Sequence, residues 1–416
     1  MKYAVYTLGC KVNQYETQAV EAMLRERGFE PTDEDADVIL VNTCAVTAES
    51  GRKSRQAIRR LMAKHPGALT AVCGCFSQLE PEAIKELGAD IVFGSGEKEK
   101  LVNAIIQALP ATEVDDPFRR RYFEELPSGA VSGRTRAMLK IQDGCDNFCS
   151  YCVIPYTRGR VRSLPLDACA RQAAALKDEG FLEIVVTGIE IASYGKDLPG
   201  KPDLTDAVEA IAKAAPGVRI HLGSLEPTVV TECFCEKLAA LGNVCPHFHL
   251  SLQSGCDKTL RDMRRKYGTD RFTACCDALR RHFPGCSLTA DLICGFPGET
   301  EEDFQETLSF LQKTGFFFVH AFPYSERPGT KAAEMPGRVP KAVREARVRR
   351  AGEVIRRMQG EYLASCVGKT LPVLFERSGK GHADNYCVVE TGKVYPRNSV
   401  QNIQIIGVNG DTLLGE

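Results

Sequence analysis

Three cysteines, Cys145, Cys149 and Cys152, have the spacing C-x-x-x-C-x-x-C and are the residues of this chain best suited to redox chemistry. They follow the apolar stretch 137–141, at the end of a predicted strand. Thiolates select iron–sulfur clusters or zinc. A zinc site normally needs a fourth protein ligand nearby, and none is obvious. Three thiolates on a four-iron cube leave one iron free to bind a small molecule and pass it an electron. Three buried thiols in a turn, or part of a zinc site, are the alternatives.

A second set of cysteines, Cys10, Cys44 and Cys75, is spread along the first part of the chain. Each one closes a predicted strand, and the carboxyl ends of parallel strands lie along one edge of a sheet. Three thiols placed there can converge on one point, and Gly9 and Gly74 allow the backbone to approach closely. The alternative is three independent buried cysteines, which are common in protein cores.

The composition is that of a globular protein with an unusual number of thiols. The chain has 416 residues, 18 cysteines and a formal net charge of −1, and 44% of its residues are hydrophobic. This length suffices for two or three domains. No apolar run is long enough to span a bilayer, so we expect a cytoplasmic protein with no membrane partner. In a reducing compartment, many cysteines favour metal-binding or catalytic thiols over disulfides.

Alternating strand and helix patterns predict an α/β fold class with several domains. We expect an N-terminal parallel α/β sheet domain over 1–125, with a linker over 110–133, and a central partial (β/α)6 barrel over 135–335. A basic connecting helix over 336–365 and a small C-terminal β-barrel over 366–416 complete the prediction. The predicted strands are 3–8, 38–42, 69–72, 91–93, 137–141, 183–187, 219–222, 247–252, 288–293, 316–320, 371–375, 386–389, 399–406 and 412–414.

The cysteine loop resembles that of the radical S-adenosylmethionine (radical SAM) superfamily, and the two cysteine sets together resemble its methylthiotransferases. The opening segment 6–17 is similar to the branch that modifies threonylcarbamoyladenosine in transfer RNA, and the end of the chain is similar to the RNA-binding TRAM module. The resemblance covers essentially the whole chain. Further matching segments are 42–44, 143–145, 224–227, 249–255 and 291–300.

The resemblance implies two [4Fe-4S] clusters and S-adenosyl-L-methionine as cofactors. The cluster on Cys145, Cys149 and Cys152 would bind S-adenosylmethionine and cleave it to a radical. The auxiliary cluster on the earlier cysteines would hold the sulfur that is delivered to C2 of the adenine. Five further residues are candidates for contacting S-adenosylmethionine: Tyr151, Gly188, Glu190, Ser251 and Gln253.

The implied partners are a tRNA anticodon loop and an electron donor such as flavodoxin or ferredoxin. RNA phosphates attract basic side chains, and bases stack on aromatic ones. Phe375 and Tyr386 could stack on a base or belong to the core of the final module. The turn 263–267 could contact the cofactor or be a solvated basic turn. The basic patches are 119–121, Arg134 with Arg136, Arg158 with Arg160 and Arg162, and the helix 341–357.

The predicted function is therefore methylthiolation of threonylcarbamoyladenosine next to the anticodon. Two alternatives within the same chemistry are isopentenyladenosine in tRNA and an aspartate of a ribosomal protein as substrates. The opening segment argues against both. A non-catalytic iron–sulfur or zinc protein that binds RNA, such as a redox sensor, is the alternative from another class.

Overall fold

The computed structural model describes residues 1–127 and 135–416. Its N-terminal part is a six-stranded parallel sheet with the order β2-β1-β3-β4-β5-β6. All residues of β3 are buried, as expected for a parallel strand covered on both faces. The strands are β1 (Lys2–Thr7), β2 (Glu30–Pro31), β3 (Val38–Thr43), β4 (Leu69–Gly74), β5 (Ile91–Phe93) and β6 (Ala111–Glu113).

Five helices cover this sheet. The second begins after Thr47, whose hydroxyl accepts a hydrogen bond from the Ser50 amide in a capping box. The linker prediction is wrong at its start, because β6 pairs with β5 and belongs to the sheet. The end of the predicted linker, residues 128–134, lies outside the described residues. The helices are α1 (Lys11–Glu26), α2 (Ala48–Lys64), α3 (Cys75–Leu79), α4 (Pro81–Glu86) and α5 (Lys98–Gln107).

The central part contains the predicted partial barrel. Six strands run parallel in the order β7-β9-β10-β11-β12-β13, and β8 pairs antiparallel with β7. Two isolated bridges, Ile220 with Val244 and Leu225 with Leu250, join β10 and its following loop to the β11 side. The strands are β7 (Arg136–Asp143), β8 (Arg162–Ser163), β9 (Glu183–Gly188), β10 (Arg219–Leu222), β11 (His247–Gln253), β12 (Ser287–Cys294) and β13 (Phe318–Pro323).

Crossover helices cover the outside of these strands and form the largest apolar core with them. The last predicted strand, 316–320, is shifted, since Phe316 and Phe317 precede β13 and are buried. The helices are α6 (Ile154–Arg158), α7 (Leu166–Asp178), α8 (Leu204–Ala214), α9 (Glu232–Ala240), α10 (Asp257–Asp262), α11 (Thr269–His282) and α12 (Glu301–Thr314).

A short helix, α13 (Lys331–Glu334), and a long one, α14 (Lys341–Cys366), lead to the C-terminal module. This module is a closed five-stranded barrel with the order β14-β15-β16-β18-β17, which confirms the predicted small barrel. The second strand was not predicted, and the third begins two residues late because Tyr386 has φ = 68°. The strands are β14 (Thr370–Arg377), β15 (Lys380–Ala383), β16 (Val388–Thr391), β17 (Ser399–Asn409) and β18 (Thr412–Gly415).

Candidate active site

The cysteine loop after β7 directs backbone N–H groups toward two of its three thiols. The Asn147 amide lies 3.5 Å from Cys145 Sγ, and the Ile154 amide lies 3.4 Å from Cys152 Sγ. Hydrogen bonds to the ligand sulfurs are one means by which proteins tune iron–sulfur clusters. Burial raises the pKa of Cys145 and brings that of Cys152 to about 12. A metal must therefore displace protons from both thiols when it binds.

The three N-terminal cysteines follow β1, β3 and β4, which are neighbours in the sheet. Cys10 precedes α1, Cys44 directly follows β3, and Cys75 is the first residue of α3. Burial raises the pKa of both Cys10 and Cys44, and the nearby Cys75 thiol adds to the increase in each. The edge of the parallel sheet thus brings together three thiols that are more than thirty residues apart in sequence.

The close approach of Cys44 and Cys75 requires glycine at position 74. Gly74 has φ = 105°, a left-handed value that side chains disfavour. A Cβ at this position would lie 2.4 Å from the carbonyl oxygen of Thr43 and 2.5 Å from Asn42 Oδ1. Any other residue here would push β4 away from β3 and separate the two thiols.

The two cysteine sets face each other between the N-terminal sheet and the central barrel. Burial and the Cys149 thiol raise the pKa of Cys152, and Cys75 of the other set adds to the increase. Among the described residues, neither set has all three sulfur atoms within 4.8 Å of one another. A single zinc ion holds its thiolates at about 2.3 Å, which places the sulfur atoms closer together than this limit.

Three of the predicted cofactor contacts lie around the cysteine loop. Tyr151 packs edge-to-face against Phe296, with 6.5 Å between ring centroids. Gly188 lines a cavity inside the central barrel. Glu190 accepts a hydrogen bond of 2.9 Å from the Asn147 amide group, within the loop itself. Burial, and then the nearby Glu226 carboxylate, raise the pKa of Glu190 to about 7.

The other two predicted contacts, Ser251 and Gln253, lie near the end of β11. Gln253 has φ = 68° and follows an irregularity in the pairing with β12. The carbonyl oxygen of Ser251 accepts a hydrogen bond from the Tyr267 hydroxyl, which fixes this strand end against the turn 263–267. Both side chains are half-buried, on the same edge of the barrel as the cysteine loop.

Arg265 belongs to the site, although the turn that carries it could equally have been a solvated basic turn. Its Nη1 lies 3.1 Å from Cys149 Sγ, and its Nη2 forms an ion pair with Glu226. Its Nε donates to the Tyr267 hydroxyl at 3.1 Å. The Arg265 side chain is 6% exposed, so this cation faces the cysteine loop rather than solvent.

A buried ionic network that was not predicted from the sequence joins the two cysteine-bearing domains. Arg158 donates to Asn13 Oδ1 at 2.8 Å and to Glu16 Oε2 at 3.1 Å, both on α1. Lys140 of β7 lies 2.9 Å from Glu16 and 2.8 Å from Asp143. Burial opposes ionisation of Glu16, but Arg158 and Lys140 outweigh it and lower its pKa to about 2.

This network corrects one predicted RNA-binding patch. Arg158 and Arg162 are buried and interact with Glu16 and Asp143, so they cannot contact phosphates. Only Arg160 of that patch has an exposed side chain. The positive charge of Arg158 partly offsets the increase in the pKa of Cys10, so Arg158 lies close to the N-terminal cysteine set.

Other predicted basic patches are only partly available to RNA. Arg136 pairs with Glu376 at 2.9 Å and Arg120 with Asp115, and Arg134 lies outside the described residues. On α14, Arg347 is buried against Glu299 and Arg350 pairs with Glu301. The basic residues of these patches that remain exposed are Arg119, Arg121, Lys341, Arg349, Arg356 and Arg357.

A polar cavity of about 800 Å³ fills the inside of the central barrel. Gly9 and Cys10 line it from the N-terminal domain, and His382 and Tyr386 line it from the C-terminal barrel. Phe375 does not reach it and is fully buried in the C-terminal core, so it cannot stack on a base. The remaining polar lining comes from the central strands, through Thr187, His247, His249, Thr289, Asp291 and His320.

Glu183, His221 and Cys245 form another group of metal-ligating side chains beneath this cavity, with ligand atoms within 4.8 Å of one another. Their charges are already balanced, because Arg219 Nε donates to Glu183 Oε2 at 3.0 Å. His221 also forms a hydrogen bond of 2.5 Å with His247. We interpret the group as the base of a hydrogen-bonded network that ends at the C-terminal barrel.

Comparisons with known proteins agree with this arrangement. Residues 139–311 match the Radical SAM superfamily, and residues 2–94 match the Uncharacterized protein family UPF0004. The chain is 38% identical to the threonylcarbamoyladenosine tRNA methylthiotransferase MtaB of Bacillus subtilis (strain 168), over 93% of this chain and 89% of the relative. The chain belongs to the radical SAM methylthiotransferases.

Other relatives fall within the same family. The MtaB enzyme of Thermotoga maritima is 37% identical, over 89% of this chain and 86% of the relative. The tRNA-2-methylthio-N(6)-dimethylallyladenosine synthase of Alkaliphilus oremlandii is 33% identical, over 91% and 83%. A solved radical S-adenosylmethionine methyltransferase, TsrM from Kitasatospora setae, shares the fold with a TM-score of 0.60 at 14% identity, over 80% of this chain and 74% of that chain.

Membership of this family makes the protein an enzyme that uses S-adenosylmethionine and iron–sulfur chemistry. S-adenosylmethionine bound to a [4Fe-4S] cluster supplies the radical in this superfamily. Within residues 1–127 and 135–416, no helix combines the length and the apolar character that crossing a membrane requires.

Proposed function

We propose that this enzyme transfers a methylthio group to C2 of N6-threonylcarbamoyladenosine, next to the anticodon of tRNA. The observation that carries this proposal is the 38% identity, over nearly the full length, to a relative named for that substrate. Isopentenyl-type adenosine is the second candidate, because relatives named for dimethylallyladenosine are 33–34% identical to this chain.

We assign one [4Fe-4S] cluster to Cys145, Cys149 and Cys152, and an auxiliary one to Cys10, Cys44 and Cys75. Support comes from the position of each set at strand ends, the N–H groups directed at the sulfurs, and the approach of Cys75 to Cys152. We expect Tyr151, Gly188, Glu190, Ser251 and Gln253 to line the S-adenosylmethionine site. The domains are assigned as 1–125, 135–335, 336–365 and 366–416.

The shape of the barrel suits a substrate base that enters between the two cysteine sets. The cavity is polar, is lined by Cys10, and receives side chains from the C-terminal barrel that would contact the RNA. We place the enzyme in the cytoplasm, with tRNA as its partner and flavodoxin or ferredoxin as the electron donor. The exposed basic residues of α14 and of the segment 119–121 are available for the RNA backbone.

Two measurements test these assignments. The first counts iron after anaerobic reconstitution, where two cubes predict about eight irons per chain and Cys75→Ala predicts about four. Cys73→Ala is the matched control, because Cys73 is buried in the apolar core on the other face of β4. An equal iron content in wild type and Cys75→Ala would refute the auxiliary cluster.

The second measurement compares the modified nucleosides of tRNA from cells with and without the gene, by mass spectrometry. The proposed function predicts loss of the 2-methylthio form of threonylcarbamoyladenosine alone. Loss of the methylthiolated isopentenyl form instead would show that isopentenyladenosine is the substrate. Unchanged tRNA in both forms would remove tRNA as the substrate.

A further inference from the structure

Lys11 occupies a position that the proposed chemistry leaves unexplained. It follows Cys10 directly and is the first residue of α1. Its side chain lines the barrel cavity and also a second cavity of about 510 Å³. Tyr386 lines both cavities too, so Lys11 and Tyr386 mark the place where they meet.

The Lys11 ammonium has no carboxylate partner in the part of the chain that the structure describes. No Asp or Glu oxygen lies within 4.0 Å of its Nζ, and it makes no side-chain hydrogen bond there. The Lys11 ammonium is therefore available to pair with an anion that enters the cavities.

The surroundings of Lys11 are also positively charged. Arg377 and Arg397 line the second cavity, and neither forms an ion pair with a described residue. Arg136 lines it as well but is paired with Glu376 at 2.9 Å. The second cavity thus has three unpaired cations and one already paired carboxylate, which makes it complementary to an anionic group, whereas Asp291 and Asp411 line the barrel cavity.

We propose that Lys11 binds the carboxylate of the amino-acid tail on N6 of the substrate adenine, and that this contact selects adenines with an anionic N6 substituent. The proposal rests on the proposed function and names the group that sets its substrate preference. Lys11 is a specificity-determining residue in this view and takes no part in radical formation.

The geometry of the purine supports the assignment. C2 and C6 flank N1, so an adenine that presents C2 to the Cys10 side holds its N6 substituent on the same edge of the ring. A carboxylate there lies within reach of the residue next to Cys10. An uncharged isopentenyl tail would instead offer the Lys11 ammonium no counter-ion, so that substrate would lack this contact.

The same ammonium could serve a phosphate of the RNA backbone, and the experiment separates the two sources. Anticodon stem–loops are prepared with N6-threonylcarbamoyladenosine and with the analogue whose threonine carboxylate is a carboxamide. The quantity measured is kcat/KM for methylthiolation by wild type, Lys11→Gln and Lys11→Arg. Lys100→Gln is the control, because Lys100 is exposed and pairs with Glu97 away from both cavities.

We expect wild type to prefer the carboxylate RNA over the carboxamide RNA by about 10- to 100-fold, the range for one hydrogen bond to a charged group. Lys11→Gln should reduce this ratio to about one, because kcat/KM falls for the carboxylate RNA alone. Lys11→Arg should restore part of the ratio. Iron content and RNA-independent cleavage of S-adenosylmethionine should equal those of Lys100→Gln, which excludes a folding defect.

Two results overturn the inference while leaving the proposed function intact. One is an equal loss for both RNAs in Lys11→Gln, which assigns the ammonium to a backbone phosphate. The other is an unchanged ratio, which leaves Lys11 without a role in selection. If wild type fails to methylthiolate the carboxylate RNA at all, the proposed function itself is refuted, and the inference with it.

Discussion

Arg265 contacts three groups next to the cysteine loop. It reaches the proposed cluster ligand Cys149, the carboxylate of Glu226 and the hydroxyl of Tyr267. Burial raises the pKa of Glu226, and Arg265 counteracts this by its positive charge. The guanidinium directs an N–H group at the sulfur of this proposed ligand, and such a hydrogen bond would raise the reduction potential of a cluster bound there.

We expect Arg265→Gln to lower the reduction potential of the cluster on Cys145, Cys149 and Cys152, and to reduce activity by about 10- to 100-fold. The potential is measured by redox titration followed by electron paramagnetic resonance, in a Cys75→Ala background that removes the other cluster. Arg264→Gln is the control, because Arg264 is the exposed neighbour in the same turn. Equal potentials in the two variants would show that the N–H···S contact has no electronic role.

Arg158 shows how a basic residue can be structural although its neighbours in sequence suggest RNA binding. Replacing it by Met leaves Glu16 short of its main counter-ion inside the interface between domains. Removing one partner of a buried ion pair costs about 3–5 kcal/mol, whereas exposed pairs contribute little. We expect this loss in the free energy of unfolding of Arg158→Met, measured by urea denaturation of the apoprotein.

Arg160→Met is the matched control for that variant. Its side chain is 58% exposed and pairs with Asp146 at the surface. The free energy of unfolding should change by less than about 1 kcal/mol in this control. If both variants lose the same stability, the network between α1 and the central barrel does not hold the domains together.

The positions of the six cysteines next to strand ends could be predicted from the sequence, whereas the contacts of Arg158 and Arg265 could not. Each cysteine stands next to a strand end, and that local pattern can be read along the chain. The contact between Glu16 and Arg158 spans 142 residues, and that between Arg265 and Cys149 spans 116. Docking of the N-terminal domain brings Glu16 to Arg158, and folding of the central barrel brings Arg265 to Cys149, and no local pattern encodes either contact.

At the scale of elements, the predicted strands agree with the structure where apolar runs are long. The strands that were missed are short or polar: β6 has three residues with two exposed, and β15 contains Gly381 between exposed and half-buried positions. Pairing with β5 or β14, rather than their own sequence, defines these strands. Whether such segments form strands depends on their tertiary contacts, because their intrinsic propensity to form β-strands is weak.

The helix α14 supports the loop that packs against Tyr151, in addition to carrying surface charge. Its Arg347 donates to Glu299 Oε1 at 2.8 Å and to the Glu299 carbonyl at 3.1 Å. Glu299 in turn accepts from the amides of Gly295 and Phe296, and the Phe296 ring packs against Tyr151. A chain of contacts thus runs from the helix to the loop after β12 and then to the cysteine loop.

We expect Arg347→Met to weaken S-adenosylmethionine binding by about 10-fold, because the loop that supports Tyr151 loses its buried anchor. The dissociation constant is measured with reconstituted enzyme by equilibrium dialysis. Arg349→Met serves as the control, since Arg349 is exposed on the same helix. A dissociation constant that stays at the wild-type value in both variants would separate α14 from the cofactor site.

At the scale of the whole molecule, three modules surround one cavity. The N-terminal domain contributes Cys10 and Lys11, the central barrel forms the walls, and the C-terminal barrel closes the side where the central strands begin. Arg219 holds the C-terminal barrel against the central barrel. It forms an ion pair with Glu183 at the start of β9 and donates to the carbonyl oxygens of Pro372 at 3.0 Å and His382 at 3.4 Å. Ser287 adds a hydrogen bond to the Asn385 carbonyl.

This arrangement predicts that the C-terminal barrel loosens when Arg219 is replaced by Met. Glu183 would then keep His221 and Arg136 nearby, at 3.4 and 4.0 Å, and the carbonyl oxygens of Pro372 and His382 would lose their hydrogen bonds from Arg219. Because His382 and Tyr386 would move with the barrel, we expect RNA-dependent methylthiolation to fall by about 10-fold or more, while RNA-independent cleavage of S-adenosylmethionine persists.

Limited proteolysis checks the structural part of this prediction. Cleavage between α14 and β14, near Gly368, should be faster in Arg219→Met than in wild type, because the barrel would spend more time undocked. Lys213→Met is the control, since Lys213 is 73% exposed on α8 and its ion pair is with Glu209 of the same helix. Equal cleavage rates, combined with a loss of activity, would mean that Arg219 acts on the cavity network itself rather than on the docking of the module that closes it.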